Sequence, residues 1–493
     1  MKKIINSGVS IILVVLLAFG TLALSCSAEG FGAPPGGGMG GGDSSPTFSG
    51  ASTISSSTKK SGVKYSSSTG GENALLASGG SSSLSNITVT KSGDSSDENA
   101  DFYGTNAAIL AYNGATLNIS DSKISTNSSH ANAVFSYTDG TINISNSTIK
   151  TTANNSGAVM VTGGGTLTAT NVTAETDGDS SAPIRSDRGG GTLTVNGGTY
   201  TSNGKGSPAI YSTADITVNN AKLNSTASEG VVVEGANSVT LNSTTVTDNN
   251  TTLNGNSETY KNIFLYQSMS GDADEGNASF SATDSALITK KGDSFFVTNT
   301  TAVINLKNTT ITNLDNTGAF LRIQAGKWGN SGSNGGNVTL NATNQTIDGD
   351  IIADSISTLA INLTSSDYKG AINSENSAKS ISLKLDSSST LTLTGDTYVT
   401  SLENAVSDNS NINLNGYTLY VNGKAITSTN YKSTTAAQTT TEVAQTSTAA
   451  ESAQSEKQSS KTPVIIACTA AAVVLAAGIS AAVIIKKKKG VKM

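Results

Sequence analysis

Several residue types that soluble enzymes use freely are scarce in this chain of 493 residues. Asp, Glu, Lys and Arg make up 13% of the chain, about half the usual share, and aromatic residues make up 5%. The chain has 6 prolines, 2 cysteines, 1 tryptophan and 1 histidine. Few side chains can carry acid–base chemistry, and a Ser-His-Asp triad could form only around His130.

The positions of the two cysteines exclude a disulfide framework. Cys26 and Cys468 each lie in a hydrophobic segment near one end, so the region between them has no cysteine. A metal site built from several His and Cys ligands is excluded in that region by count. The same region is acidic, because seven of the lysines belong to the two ends. An acidic chain with three arginines is a poor match for nucleic acid, which we do not expect as a partner.

The polar complement consists mainly of Ser, Thr and Asn, together with 51 glycines. These residues have low helix propensity, whereas Thr and the frequent Val and Ile favour strands. There is no Gly-x-y period, which excludes collagen. The composition therefore predicts an all-β protein.

The two ends carry signals for export and anchoring. Residues 1–28 have two lysines, an apolar run and a small-residue segment, which is typical of a secretory signal peptide. Ala23-Leu24-Ser25-Cys26 also resembles a lipobox, and lipidation of Cys26 stays open. Residues 463–485 carry no charge, and residues 464–485 would span about 33 Å as a helix, enough to cross a bilayer. The lysines of residues 486–493 would keep that tail in the cytoplasm. We expect a single-pass protein of the cell membrane with its main domain outside.

The region between the ends repeats with a period near 25 residues. Each repeat has an apolar residue, a second inward residue two positions later and a third five positions after that. The first apolar positions of six consecutive repeats are Leu117, Ile142, Leu167, Leu193, Ile216 and Val239. Between the second and third inward positions lies a residue type that favours a tight bend, namely Asp121, Asn146, Asn171, Gly197, Asn220 and Ser243. With a further apolar run before each unit, the pattern predicts three short strands per repeat, stacked as coils in parallel.

These repeats resemble the right-handed parallel β-helix proteins of the pectin-lyase-like superfamily, and among them a group of bacterial cell-surface proteins. The resemblance covers roughly residues 71–428. It is carried by four segments: Gly191 to Val195, Ala182 to Gly191, Ser207 to Asp215 and Ile263 to Asp274. It implies a single-stranded right-handed β-helix at 71–428 and adhesive or carbohydrate-linked roles, with no assigned catalytic set. We expect disordered linkers on either side, at 29–70 and as a Ser/Thr-rich stalk at 429–462.

Arg185, Asp187 and Arg188 bring two of the three arginines to one bend. Two guanidinium groups beside a carboxylate could bind a uronic acid through paired hydrogen bonds. By the resemblance, a lyase would use an arginine or lysine base here, with Ca²⁺ held by carboxylates. The alternative is an Arg-Asp-Arg ladder that joins adjacent coils, and this interpretation is favoured.

Further candidate residues lie in loops. Two acidic loops could supply oxygen ligands for Ca²⁺ or could simply be solvated, and their residues are Asp94, Asp97, Glu98, Asp101, Asp272, Asp274 and Glu275. Trp328 lies in a Gly-rich insertion, where it could stack on a sugar or cover the side of the rod. His130 has no Gly-x-Ser-x-Gly elbow beside it, and we expect it on the surface.

The outward strand positions form a ladder of small polar side chains, which includes Asn118, Asn143, Thr168, Thr194, Thr217 and Thr240. Such a face could bind ordered polysaccharide or could serve only to stack the coils. The favoured hypothesis is a membrane-anchored, non-catalytic, adhesin-like protein that binds polysaccharide or a host or neighbouring cell surface. The alternatives are a Ca²⁺-dependent polysaccharide lyase acting on polyuronates and a structural surface spacer.

Overall fold

The computed structural model describes residues 46–253 and 257–426. These residues form a parallel β-solenoid of about 15 turns, of the right-handed type. Within the described ranges there is one α-helix, α1, at Asn99–Tyr103. The predicted signal peptide with Cys26, the stalk, the predicted membrane span and the basic tail lie outside the described residues. In the described part, no helix is long and apolar enough to cross a membrane.

Each coil contributes one strand to each of three faces, which we call faces A, B and C in chain order. Face A is a 12-stranded parallel sheet. Its strands are Thr53–Ile54, Leu75–Ala77, Ile109–Ala111, Val134–Tyr137, Val159–Thr162, Ile184–Ser186, Ile210–Ser212, Val231–Glu234, Lys261–Tyr266, Asp293–Thr298, Leu321–Ile323 and Ile351–Ala353.

Faces B and C belong to one 22-stranded sheet, because two strands run through the corner between them. The strands of face B are Lys59–Ser61, Ser81–Ser85, Thr116–Ser120, Thr141–Ser145, Gly165–Thr176, Gly191–Ser202, Asp215–Asn219, Ser238–Asn242, Asn277–Thr283, Thr300–Lys307, Gly336–Thr343, Thr358–Thr364, Ser380–Leu385 and Ser401–Asn404. Gly165–Thr176 and Gly191–Ser202 continue into face C, whose other strands are Lys64–Ser67, Thr88–Lys91, Lys123–Thr126, Thr148–Thr151, Lys222–Ser225, Thr245–Asp248, Ala286–Thr289 and Thr310–Asn313.

The last coils form two smaller sheets. Four strands continue the line of face C, and they are Thr346–Asp348, Asp367–Lys369, Thr390–Thr392 and Ile412–Asn413. A three-stranded sheet of Thr397–Val399, Leu419–Val421 and Lys424–Ile426 ends the described region. Its last strand pairs antiparallel to Leu419–Val421, which closes the final coil with a hairpin.

The register of the strands confirms the repeat that the sequence predicts. Leu117, Ile142, Leu167 and Leu193 stand opposite one another in successive coils and are fully buried. The outward residues between them carry hydroxyl or amide groups, so alternation alone separates the core from the surface. One apolar column runs through the stacked coils, and burial of this column is the main favourable term in folding.

The predicted bends are confirmed by the backbone. The six bend residues named above all have a positive φ, between 48° and 72°. Asn and Asp tolerate this left-handed conformation better than other residues with a side chain. The next residue turns inward, and in the first coils of this series it is a serine: Ser122 Oγ accepts from Ile87 N and Ser147 Oγ accepts from Ser122 N, each at 3.1 Å. At the bend these backbone N–H groups do not bond to a carbonyl of the next strand, and the serine hydroxyls accept their hydrogen bonds instead.

The solenoid begins earlier than the sequence indicated. Residues 46–70, which we assigned to a disordered linker, carry strands of all three faces and form the first coil. Apolar alternation in this stretch is weak, because Ile54, Val63 and Tyr65 are the main inward residues among many serines. The backbone of this stretch nevertheless forms strands, because it pairs with the next coil through hydrogen bonds that do not depend on the side chains.

Candidate functional site

The outward row of face A changes chemistry along the rod. Strand register places these residues opposite one another, coil by coil: Leu110, Phe135, Met160, Arg185, Tyr211, Val232, Phe264, Phe296 and Arg322. Two apolar clusters on this row are each covered by another segment, one by the chain around α1 and the other by the loop with Trp328. Arg185 and Tyr211 lie between the two clusters.

Local strand geometry explains how Arg185 and Asp187 come to share one side. Ile184 and Ser186 turn into the solenoid, so Arg185 and Asp187 turn outward together. The chain then bends at Gly189 and Gly190, with φ of 77° and 58°. Although outward, Arg185 and Asp187 are only 9% and 5% exposed, because other segments cover them.

Arg185 is held between two carboxylates. Its Nη2 donates to Asp187 Oδ2 at 3.1 Å, and its Nη1 lies 3.8 Å from Asp101 Oδ1. The other oxygen of Asp101 lies 2.8 Å from His130 Nδ1. Asp101 therefore joins Arg185 to His130 through α1.

Arg188 joins two segments that are distant in the chain. Its Nε donates to Asp272 Oδ1 at 2.6 Å, and its guanidinium carbon lies 3.8 Å from the centre of the Phe102 ring. Phe102 belongs to α1, and Asp272 belongs to the 267–276 loop. Each of the two acidic loops that the sequence singled out thus sends one carboxylate to the arginine pair. We call Asp101, His130, Arg185, Asp187, Arg188 and Asp272 the charged cluster.

Burial shifts two pKa values in the charged cluster. Desolvation raises the pKa of Asp187 to about 7, more than the attraction of Arg185 lowers it. The pKa of His130 is raised above its ordinary value by the hydrogen bond to Asp101, despite the opposing effect of burial. Asp187 therefore titrates near neutral pH, and His130 keeps its proton to a higher pH than an ordinary histidine does.

A second polar group adjoins the charged cluster and was missed by sequence reasoning. Glu234 Oε2 accepts from Tyr211 Oη at 2.6 Å and from Tyr266 Oη at 2.7 Å, and Ser268 donates to the other oxygen. Burial raises the pKa of Glu234. The sequence did contain a signal for it, because Glu234 ends the apolar run Val231–Glu234. A carboxylate at the end of a buried strand needs hydrogen-bond donors from its neighbours.

The remaining acidic residues do not meet at one point. Asp94 Oδ1 accepts from Ser129 N at 2.8 Å, and Asp97 Oδ1 accepts from Asn99 N at 3.0 Å. Glu98, Asp274 and Glu275 are exposed. In residues 46–253 and 257–426 no three His, Cys, Asp or Glu side chains are grouped so that they could hold a metal ion.

Trp328 and His130 both lie against the rod. Trp328 is 5% exposed and its ring centre lies 5.1 Å from that of Tyr266, so it covers the side of face A. The side chain of His130, which we expected on the surface, is 16% exposed and paired with Asp101. Its Nε2 lies 3.3 Å from Asn155 Nδ2. The histidine contacts an acid and an amide, which does not match the Ser–His pair of a hydrolase.

Face B presents the polar ladder that the sequence predicts. Amide side chains stack along it, with Asn143 Nδ2 donating to Asn118 Oδ1 at 3.0 Å and Asn242 Nδ2 to Asn219 Oδ1 at 2.9 Å. A shallow groove of about 500 Å³ crosses several coils of this face. It is lined by Lys59, Ser83, Leu84, Ser85, Asn118, Ile119, Ser120, Asn143, Ile144, Ser145, Thr168 and Thr170.

Comparison with protein-family models, curated proteins and solved structures gives no match for this chain. Two surfaces of the solenoid are therefore the candidates for function. One is a charged cluster whose members are paired with each other under covering segments. The other is a long, open face of hydroxyl and amide groups with a groove in it.

Proposed function

We propose that this protein is a non-catalytic surface rod that binds polysaccharide along the groove of face B. The observation that carries the proposal is the lining of the groove, in which Lys59 is the only ionisable residue among hydroxyl, amide and aliphatic groups. Hydroxyl and amide side chains can both donate and accept hydrogen bonds, as sugar hydroxyls do. Coils stacked about 4.8 Å apart offer equivalent groups at every step of an extended polymer.

The contacts of the charged cluster favour a structural role over catalysis. Arg185 is enclosed between Asp101 and Asp187, so little of its guanidinium is left for a substrate carboxylate. Arg188 is 41% exposed along its side chain but already pairs with Asp272 and stacks on Phe102. These contacts support a structural role over that of a lyase base, and they run to α1 and to the 267–276 loop, whereas the predicted Arg-Asp-Arg ladder would join adjacent coils.

The terminal sequence signals support a place at the cell surface. The export signal of residues 1–28 and the apolar segment of residues 463–485 would put the solenoid outside a membrane to which it stays attached. The Ser/Thr-rich stretch of residues 429–462 would act as a spacer. In this arrangement the protein would meet polysaccharide on its own, a neighbouring or a host cell surface.

A glycan array tests the proposal. The full chain, purified in mild detergent, is applied to neutral and acidic polysaccharides, and we expect retention on at least one without any change in the polymer. The same polymers are then incubated with the protein and Ca²⁺ while ultraviolet absorbance is followed. Unsaturated product from a polyuronate would contradict the non-catalytic assignment and point to a lyase. Absence of retention on every polysaccharide would remove the carbohydrate ligand and favour the spacer.

A further inference from the structure

One row of side chains closes the corner between face C and the next strand of face A. Strand register places one residue per coil in this row: Ser67, Lys91, Thr126, Thr151, Thr176, Ser202, Ser225, Asp248, Thr289 and Asn313. Nine of these side chains have a hydroxyl, amide or ammonium group that can donate a hydrogen bond. Asp248 is the exception, and it is 2% exposed.

The row faces backbone carbonyl oxygens. Thr151 Oγ1 donates to the carbonyl of Ser156, and Ser202 Oγ donates to the carbonyl of Ser207. Lys91 uses its ammonium group, with Nζ lying 2.8 Å from the carbonyl oxygen of Thr69 and 2.6 Å from that of Gly93. Other hydroxyls of the row also accept, since Thr126 Oγ1 and Ser225 Oγ take hydrogen bonds from Ser128 N and Ser228 N. In these coils a donor therefore meets a carbonyl of the corner, and in one coil that donor is a cation.

Asp248 brings another acceptor to this corner. Its Oδ1 is buried without a hydrogen-bond partner. Glu229 lies nearby, and its Oε2 accepts from Ser228 Oγ at 2.6 Å. Burial, together with the negative charge of Glu229, raises the pKa of Asp248 well above its usual range. Gly230 shows how close the segments are, since a Cβ on it would lie 2.8 Å from Asp248 Oδ2. Glu229 precedes Gly230 in the chain, so the second carboxylate comes from the adjoining residue.

Two buried amide oxygens add to the excess of acceptors. Asn250 Oδ1 and Asn262 Oδ1 also have no hydrogen-bond partner, and both residues are at most 1% exposed. Asn250 Nδ2 donates to the carbonyl of Lys261 at 3.0 Å, and Asn262 O accepts from Gly230 N at 3.0 Å. Both amides thus belong to the chain segments that surround Asp248 and Glu229.

The nearby positive charges do not satisfy all of these oxygens. Lys261 Nζ lies 3.4 Å from Glu229 Oε1 and also over the Phe264 ring. The charge of Lys290 and a hydrogen bond from its backbone both favour the ionised form of Asp248, but less strongly than burial disfavours it. A proton on Asp248 would add one donor, whereas three oxygens, those of Asp248, Asn250 and Asn262, have neither a hydrogen-bond donor nor a cation beside them. A bound cation can serve several oxygens at once.

We propose that Asp248, Glu229, Asn250 and Asn262 form a buried Ca²⁺ site at this corner. Carboxylate, amide and carbonyl oxygens are the ligands that Ca²⁺ prefers, and carbonyls of the corner and water complete its six to eight oxygens. The ion takes the place that the Lys91 ammonium takes in its own coil. The site is separate from both acidic loops and from the groove of face B, so it does not depend on the proposed polysaccharide ligand.

Thermal unfolding of the full chain in detergent tests the site. After treatment with a chelator, we expect added CaCl₂ to raise the unfolding temperature by several degrees, with one Ca²⁺ bound per chain by equilibrium dialysis. MgCl₂ and NaCl at matched ionic strength should have much smaller effects. Asp248→Asn should abolish the response to Ca²⁺, whereas Asp274→Asn, in an exposed acidic loop, should keep it.

Two results would overturn the proposal. One is a wild-type protein whose unfolding temperature does not respond to Ca²⁺. If Asp248→Asn is then more stable than the wild type, Asp248 is stabilised by protonation and not by a bound ion. The other is a response that survives in Asp248→Asn but is lost in Asp274→Asn, which would place the ion in the 267–276 loop. The Asp248→Asn variant is conservative in shape, and its circular dichroism spectrum checks that it folds.

Discussion

Arg185 contacts two carboxylates that reach it from different parts of the chain, Asp101 from α1 and Asp187 from the end of its own strand. A charge in such a covered position is tolerated because it is paired, and removing one partner leaves another charge buried alone. At the residue scale, the scarce charges of this protein thus hold segments together. Asp101 is central, because it contacts both Arg185 and His130.

Asp101→Asn should loosen the segment around α1. The variant leaves Arg185 and His130 without their shared carboxylate, and we expect a loss of about 3 kcal/mol in the local opening free energy. Hydrogen exchange of residues 94–106 measures this loss. The control is Asp97→Asn, an exposed position in the same segment that should change protection little. Equal protection in Asp101→Asn and wild type would contradict the role of the ion pairs.

The charged cluster should also make stability depend on pH. The folded pKa of Asp187, about 7, lies above its unfolded value near 3.9, so protonation favours the folded state. Its stabilising contribution is complete below about pH 4 and is lost as the pH rises through about 7. The pKa of His130 is also raised, so its contribution to the free energy of unfolding changes in the same direction. That contribution is complete below about pH 6.5 and is lost at higher pH.

Urea denaturation between pH 5 and pH 8 measures this dependence. We expect the unfolding free energy of the wild type to fall across that range, and Asp187→Asn to reduce the fall because an amide does not titrate. Asp139→Asn, at an exposed position, serves as the control. A variant with the same pH dependence as wild type would show that Asp187 does not titrate there.

Sequence reasoning selected most members of the charged cluster but placed them in separate sites. Asp101 and Asp272 were assigned to two Ca²⁺ loops and Arg185 to a ligand site or a ladder. Their pairing depends on how two loops fold back over face A, and the 25-residue repeat carries no information about that. Glu234 was missed for a related reason, since its donors Tyr211 and Tyr266 come from neighbouring coils.

At the scale of the element, one bend residue fixes the path of each coil. Asn146 has a φ of 48° and lies between an outward and an inward position, where an ordinary L-residue would be strained. The alternation on either side could be predicted from the sequence, because the period of two is strict in these coils. The first coil, at residues 46–70, could not, because its inward residues are too few to show the period.

Asn146→Val should destabilise the solenoid by about 1–2 kcal/mol, since a β-branched residue is strained at positive φ. Asn143→Val is the matched control, because it is an exposed asparagine three residues earlier in a strand, where valine is favoured. Thermal or urea denaturation compares the two variants. Equal stabilities would show that the corner does not require a left-handed residue.

At the scale of the whole molecule, the charged cluster and the polar groove lie on different faces of the solenoid. The charged cluster lies on the covered side, at face A, while the groove of face B is lined by hydroxyls, amides and aliphatic groups with Lys59 as its one ionisable residue. Binding through such a groove should depend little on ionic strength, because few charges take part. We expect the affinity for a retained neutral polysaccharide to change less than about two-fold between 50 and 500 mM NaCl. A steep loss with salt would point to Lys59 or another charged surface instead.

The most direct test of the account compares two substitutions on face B by affinity electrophoresis of the full chain in the retained polysaccharide. Thr168 lines the groove, whereas Thr240 has the same outward position three coils further on and lies outside it. Thr168→Arg should weaken binding at least about ten-fold, since it fills the groove and introduces an unpaired charge at the contact. Thr240→Arg should bind as wild type does. Unchanged binding by Thr168→Arg would contradict the assignment of the groove of face B as the polysaccharide site.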